Sequence, residues 1–343
     1  MAGIRALRKI QFGLETTPGT AVAATHVWRG TGTLKDEKVP KAVKEEVGAN
    51  HSLGLVYYSQ AGAVIKLAST PASFEQLPYI LATGVEDTTT GAADGSGSGK
   101  IYQFDSPVGD NAASNDIATL TVRAGDNQRV DVAEYVFCES FKIKGAKGGP
   151  VTIEAALRGR QATDGDFTTG IDADTVEPIL FGAGKLYLDA DGGTIGTTLK
   201  SATLLGFEFG GDTGWIPLWT ADGALYFAAP VYVGNNADTG GKALTGKLML
   251  VHNSNAETEL AAARAGTVRL MRLKFEGSAL TTPGTTYTYK TFILDAAIQY
   301  TDVPDLGEED DLDVLELPFR VVENDARNLS WSAIVVNEVS ALS

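Results

Sequence analysis

The residues that could do chemistry are few and widely spaced. Gly99 and Lys100 look like the end of a phosphate-binding loop, in which backbone N–H groups and a lysine cradle phosphate oxygens. The position that must be glycine is Asp94, however, and the position that must carry a hydroxyl is Ile101. The glycines of that stretch follow no strand and open no helix, so they do not read as a dinucleotide fingerprint either. Asp189, Asp191 and Gly193 begin like a calcium loop, yet Lys200 stands where the closing bidentate acid belongs, and a plain turn is the better reading. Glu308, Glu309, Asp310, Asp311 and Asp313 could hold a cation weakly. They are sequential, nothing preorganises them, and they read as a solvated hairpin tip.

His26, His51 and His252 are far apart, and none has a cysteine, a histidine or an acid at metal-ligand spacing. Cys138, the single cysteine, excludes an internal disulfide; its neighbours Phe137, Phe141 and Ile143 suit an inert buried thiol better than a nucleophile. No Gly-x-Ser-x-Gly elbow is present, and with this many acids no particular carboxylate pair stands out as a glycosidase site. The expectation is a protein that is not an enzyme and takes no metal or cofactor.

Lysines and arginines number 28 against 43 acids, a formal charge of -15. Such a surface cannot clamp phosphates in a sequence-specific way, although an acidic wall would let a polyanion slide past without sticking; plain solubility is the other use of that charge. No run approaches eighteen apolar residues, and the first ten carry Arg5, Arg8 and Lys9 without the apolar core of a signal peptide. These features predict a protein made and kept in cytosol-like conditions, with no membrane partner.

The elements that must carry these residues are mostly strands. Residues 64–84, VIKLASTPASFEQLPYILATG, read as a strand, cap candidates Ser69 and Thr70, the acid Glu75, a short apolar helix and the stopping Gly84. Residues 247–266, KLMLVHNSNAETELAAARAG, repeat the plan: a strand, Ser254 or Asn255 as cap, Glu257, and Gly266 as the stop. Pro78 breaks the match and should kink the first helix or confine it to short turns. Strands are also expected at residues 101–104, 118–122, 130–136, 137–144 and 151–158, and again at 185–189, 204–209, 268–275, 286–292, 293–300 and 314–322. On this scheme Phe137 corresponds to Phe292.

Between the strands lie four irregular stretches. Residues 34–58 pack Lys35, Asp36, Glu37, Lys38, Lys41, Lys44, Glu45 and Glu46 around Val39 and Val43, a long charged excursion. Residues 211–229 supply an aromatic one, with Trp215, Trp219, Tyr226 and Phe227. Residues 85–100 are too polar to pack and read as a flexible Gly/Ser-rich insertion, and residues 166–175 read as a linker. A chain of 343 residues is comfortable for two cores, and the paired strand–helix–glycine units argue for internal duplication.

Residues 12–25, FGLETTPGTAVAAT, resemble the N-terminal segment of the tail tube proteins (major tail proteins) of long-tailed, non-contractile bacteriophages. The charged excursion, the FEQLPYILATG helix and the following β-meander match the order of elements in that family. The resemblance implies a mainly β (α+β) fold: a β-sandwich or barrel with a flanking helix, here as two tandem copies. Residues 1–165 would form one tail-tube-like module and 176–343 the second. It implies self-assembly into stacked rings, of three chains as a pseudo-hexamer or of six, forming a conduit for DNA ejection that encloses the tape measure protein. Tail terminator and tail-tip proteins would be the other partners, DNA would be in transit only, and the location would be the virion tail, assembled in the host bacterial cytoplasm. An appended immunoglobulin-like domain is the other familiar explanation of the extra length. Contacts between rings are expected from Lys35, Asp36, Glu37, Lys38, Lys41, Lys44, Glu45 and Glu46 and from Trp215 and Trp219. The alternatives are another virion β protein, such as a capsid decoration or tail-tip component, and a carbohydrate-binding sandwich with Trp215 and Trp219 as its platform.

Overall fold

Alternation of apolar and polar residues is the local cause of most of this structure. Along residues 152–159 every second side chain (Ile153, Ala155, Leu157) is buried, which is what a strand with one face on a core requires. A computed structural model describes residues 2–44, 46, 48, 54–106, 116–234 and 244–343. It is 51% strand and 8% helix, a mainly β fold with large antiparallel sheets.

In the first half the strands are β1 (Lys9–Leu14), β2 (His26–Val27), β3 (Gly32–Ala42), β4 (Val56–Pro71), β5 (Ala92–Ala93), β6 (Lys100–Asp105), β7 (Leu120–Gly125), β8 (Val130–Ala146), β9 (Thr152–Gly159) and β10 (Ala162–Gly165). Helix α1 (Leu77–Ala82) follows β4. In the second half they are β11 (Gly184–Ala190), β12 (Leu204–Asp212), β13 (Trp215–Leu218), β14 (Ala229–Tyr232), β15 (Thr245–Val251), β16 (Val268–Ala279), β17 (Tyr289–Tyr300), β18 (Gly307–Glu309), β19 (Leu312–Val321) and β20 (Trp331–Asn337). Helix α2 (Ser254–Ala265) follows β15.

The two halves pair their strands in the same order. The first runs β3, β4, β9, β8, β7, β1, and the second β12, β15, β19, β17, β16, β11, all antiparallel. Even the accessories recur. β2 beside β1 is matched by a Tyr187–Leu199 bridge beside β11, and β10 on the early part of β8 by β20 on the early part of β17. Among the described residues two strand pairings weld the halves: β8 pairs with β12 from Ala146 opposite Gly206 to Ser140 opposite Asp212, and β6 pairs with β20; isolated bridges at Ser73–Pro178, Thr90–Ala341 and Pro150–Leu180 add to them. One apolar cluster runs through both halves, with Phe141, Phe209 and Trp331 in mutual ring contact at 5.5–6.5 Å, so the chain has a shared core where its length suggested two.

Several local expectations need correction. Residues 130–144 are one strand, not two, because the chain passes through Tyr135 at φ 53° and continues. Before that bend β8 lies between β7 and β10, and after it between β9 and β12. Residues 286–300 likewise hold one strand, β17. Phe292 faces Val335 of β20, whereas Phe137 faces Arg158 of β9, so the two phenylalanines are not equivalent.

The helix grammar holds for α2, except that Asn253 is the cap: its side-chain oxygen accepts from Asn255 N and Ala256 N. Gly266 ends that helix at φ 64°, the left-handed conformation glycine adopts without strain. In α1 the grammar fails. Ser69 and Thr70 lie within β4, no side chain caps the helix, and Pro78 sits in its first turn, where its missing N–H costs nothing. Gly84 is needed for space instead, since a Cβ there would stand 2.9 Å from Cys138 Cβ.

Polar segments that lack apolar periodicity are nonetheless tied down. In residues 85–100, buried Asp94 accepts from Thr286 N (2.9 Å) and Tyr287 N (2.7 Å). In residues 166–175, Thr168 exchanges hydrogen bonds with the Gln11 side chain, and Asp174 contacts His26 Nδ1 at 3.1 Å.

Candidate assembly surface

The charged excursion is a β-ribbon, because its residues alternate along a long antiparallel pair. β3 and β4 stay in register from Gly32 opposite Leu67 to Ala42 opposite Val56, with one irregularity near Pro40. Lys35, Lys38 and Lys41 are exposed on it, as are Lys44 and Glu46 beyond it; Glu45 lies outside the described residues. Asp36 pairs with Lys38 at 2.8 Å, and Glu37 pairs with Arg158, which also holds Glu139. Toward the far end the ribbon presents Leu55, Val56, Tyr57 and Tyr58, each 50–58% exposed. Large apolar side chains left in water next to one another are the kind of feature a contact surface uses.

The aromatic excursion forms a second arm, the hairpin β13–β14, whose root is inside the protein. Trp215 is buried with Phe137, Ile117 and Phe227, and its ring lies 5.4 Å from that of Tyr232, tilted by 53°. It therefore anchors the arm to the bend of β8 and offers no exposed ring for a contact or a sugar platform. Trp219 remains 37% exposed, beside Ile216, Leu218 and Leu225. The two arms touch: Ala61 N on β4 donates to Leu225 O at 2.9 Å, and a cleft between them is lined by Glu37, Val39, Gln60, Arg158, Pro217 and Trp219. Arg160 pins the junction, lying 4.4 Å over the Tyr135 ring and 5.2 Å over that of Tyr226 while donating to Ala228 O. Nothing in the sequence marks Arg160, because its partners are 25 and more residues away in the chain.

Between the arms' roots and β19 runs a polar face laced with opposite charges. Lys142 on β8 pairs with Glu208 on β12, Lys144 reaches Glu154 at 3.3 Å, and Lys247 on β15 reaches Glu316 on β19 at 3.1 Å. Burial acts to raise the pKa of Glu208, but Lys142, Lys144 and Lys247 outweigh it and hold the carboxyl below its ordinary range. Among the described residues these lysines and glutamates neutralise one another across β8, β12, β15 and β19.

The motif that carries the resemblance has a structural task. Glu15 is 6% exposed, and its carboxylate accepts from Gly19 N (2.7 Å), Thr119 Oγ1 (2.7 Å), Thr121 Oγ1 (2.9 Å) and Tyr135 N (2.8 Å). It thereby fixes the turn at Pro18–Gly19 and the bend of β8 with one group. His26 is also structural in setting, with Asp174 at Nδ1 and the Tyr79 hydroxyl 2.8 Å from Nε2. Asp189 closes a turn by accepting from Gly196 N, Thr197 N and Thr198 N, and Asp310 and Asp311, both at positive φ, form the tip of the β18–β19 hairpin. Among the described residues no three of His, Cys, Asp and Glu are grouped so as to hold a metal ion, and no helix is long and apolar enough to cross a membrane.

No protein-family model matches the chain, and the comparison with curated proteins finds no match.

Proposed function

We propose that the protein is a structural virion component that self-assembles into stacked rings, forming a phage tail tube through which DNA is ejected and within which the tape measure protein is enclosed. The observation that carries this reading is the β8–β12 joint. Two copies of one pairing order are fused head to tail inside a single chain, and among the described residues the resulting sheet still has strand edges with no paired neighbour. A head-to-tail contact whose rotation closes gives a ring. With two pseudo-equivalent units per chain, three chains supply the six units that the resemblance to tail tube proteins implies. The two arms, with their exposed Tyr57, Tyr58 and Trp219, are suited to contacts between successive rings, and the self-neutralised polar face is suited to a lumen. Tail terminator and tail-tip proteins would cap the ends. The role is mechanical, with the virion tail as its place.

Electron microscopy of the purified protein tests this reading: long hollow tubes are expected. Replacing both Tyr57 and Tyr58 by Asp should leave rings that no longer stack. Monomers at all concentrations, or wild-type tubes from the double variant, would contradict the assignment of function or of the arm, respectively.

A further inference from the structure

The internal joint shows what an external one must look like. β12 holds in the second half the place β3 holds in the first, since each pairs with the strand that precedes the helix. Within the chain, the outer edge of β12 is covered by the later part of β8. The corresponding edge of β3 has no paired strand: among the described residues β3 pairs with β4 alone, although β7 and β10 pass close to it.

The counterpart of the later part of β8 can also be found. That part of β8 pairs with β9 on one side and β12 on the other. In the second half the equivalent partner of β19 begins at Ile298 opposite Val321, passes Tyr300 opposite Phe319 and Thr301 N, which donates to Pro318 O at 3.0 Å, and resumes at Gly307 opposite Val314. The chain thus touches β19 at both ends of residues 301–309, with no strand pairing to it at 302–306, and among the described residues no strand is paired along the other side of this segment. They are exposed almost throughout, Val303 by 43% and Leu306 by 54%.

We propose that β3 of one copy adds to residues 301–309 of the next, repeating between chains the joint that β8 and β12 make within one. The occupant of each open edge is a second copy of this chain. Charge supports the match. Inside the chain the lysines of β8, Lys142 and Lys144, face Glu208 of β12. At these edges β3 carries Lys35 and Lys41 beside the internally paired Asp36, Glu37 and Lys38, while the other segment carries Asp302, Asp305 and Glu308, with Glu309 held by Lys147 of its own chain. Among the described residues Lys35 has no ion-pair partner within its own chain. Backbone pairing provides the bulk of the contact and the side-chain charges set which edge meets which. This joint rests on the ring-forming reading above and specifies its lateral contact.

Disulfide scanning tests it in the full-length protein. Lys35→Cys is combined in turn with Asp302→Cys, Val303→Cys, Asp305→Cys and Leu306→Cys, all surface positions, and assembly is confirmed by electron microscopy before oxidation. Cys138 is buried and serves as the silent background. At least one pair should give covalent multimers on a non-reducing gel, and Lys35→Cys alone should give none. If all four double variants assemble into tubes yet run as monomers, the joint is wrong while self-assembly stands. If the wild type forms neither rings nor tubes, the functional reading itself fails and the joint with it.

Discussion

Replacing Glu15 by Ala isolates the bond set behind the LETTPG motif. The substitution removes an acceptor for four donors at once: the hydroxyls of Thr119 and Thr121, and the backbone N–H groups of Gly19 and Tyr135. Threonine hydroxyls can rotate toward other acceptors, but the two N–H groups are fixed by the chain. A buried donor left unsatisfied costs about 1–3 kcal/mol, so two cost on the order of 2–6 kcal/mol, nearer the lower figure here because Gly19 and Tyr135 are half-buried. Tyr135 is also held at φ 53°, a conformation that persists only when its surroundings impose it. Glu15→Gln keeps one oxygen able to accept from Thr121 and Tyr135, and should cost roughly half as much by the same reasoning. Urea titration at neutral pH measures both: the midpoints should fall in the order wild type, Gln, Ala, with the slope unchanged. An Ala variant within about 1 kcal/mol of wild type, well under the cost of two orphaned donors, would refute the argument. So would a Gln variant as unstable as the Ala one.

Glu259 is fully buried between Lys200 Nζ (3.0 Å), Arg269 Nη2 (2.8 Å) and the Tyr300 hydroxyl (3.0 Å), so Glu259→Gln, which strands two cations, should cost about 3–5 kcal/mol in thermal or urea unfolding. The two glycines that close the repeated units should respond differently. Gly266→Ala carries only the left-handed backbone penalty of about 1–2 kcal/mol, with open space for its methyl; Gly84→Ala carries no such penalty and must instead displace Cys138 and Thr213, which shows as a loss of midpoint together with an altered environment around Cys138. Burial alone would raise the pKa of Asp189, but the hydrogen bonds from Thr197 and Thr198 hold it below the ordinary range. A depressed folded-state pKa gives stability that is present above the unfolded value, about 3.9, and is lost as pH falls through the folded one. The melting-temperature gap between wild type and Asp189→Asn should therefore be full at pH 7 and close below about pH 4; a gap independent of pH would show that the carboxylate's charge is not what matters.

What could be read in the sequence was whatever has a period or a punctuating residue. Alternation located β9, β11 and β16, and the cap candidates Ser254 and Asn255, the acid Glu257 and the stop Gly266 marked α2, with the cap itself at Asn253, one and two positions earlier than those candidates. The Pro18–Gly19 turn was visible for the same reason. Long-range polar bonding has no such signature. Glu15, Asp94, Asp174 and Arg160 each act on partners far along the chain, so residues 85–100 and 166–175 looked loose although hydrogen bonds fix them. The bend at Tyr135 was invisible because its positive φ is imposed by Glu15, not chosen by tyrosine. Trp215 was legible as an aromatic but not as interior, since burial of an arm's root depends on the packing of β8 beneath it. The repeat itself showed in outline, while its content, the shared pairing order and the β8–β12 joint, needed the sheet.

Counting chains per ring puts the central claim to the most direct trial. A cryo-EM reconstruction of assembled protein should show three chains in each ring and six pseudo-equivalent units around the channel, with every β3 beside the 301–309 segment of its neighbour. Six chains per ring with one unit of each at the channel, or particles that remain single chains with both edges in solvent, would contradict it.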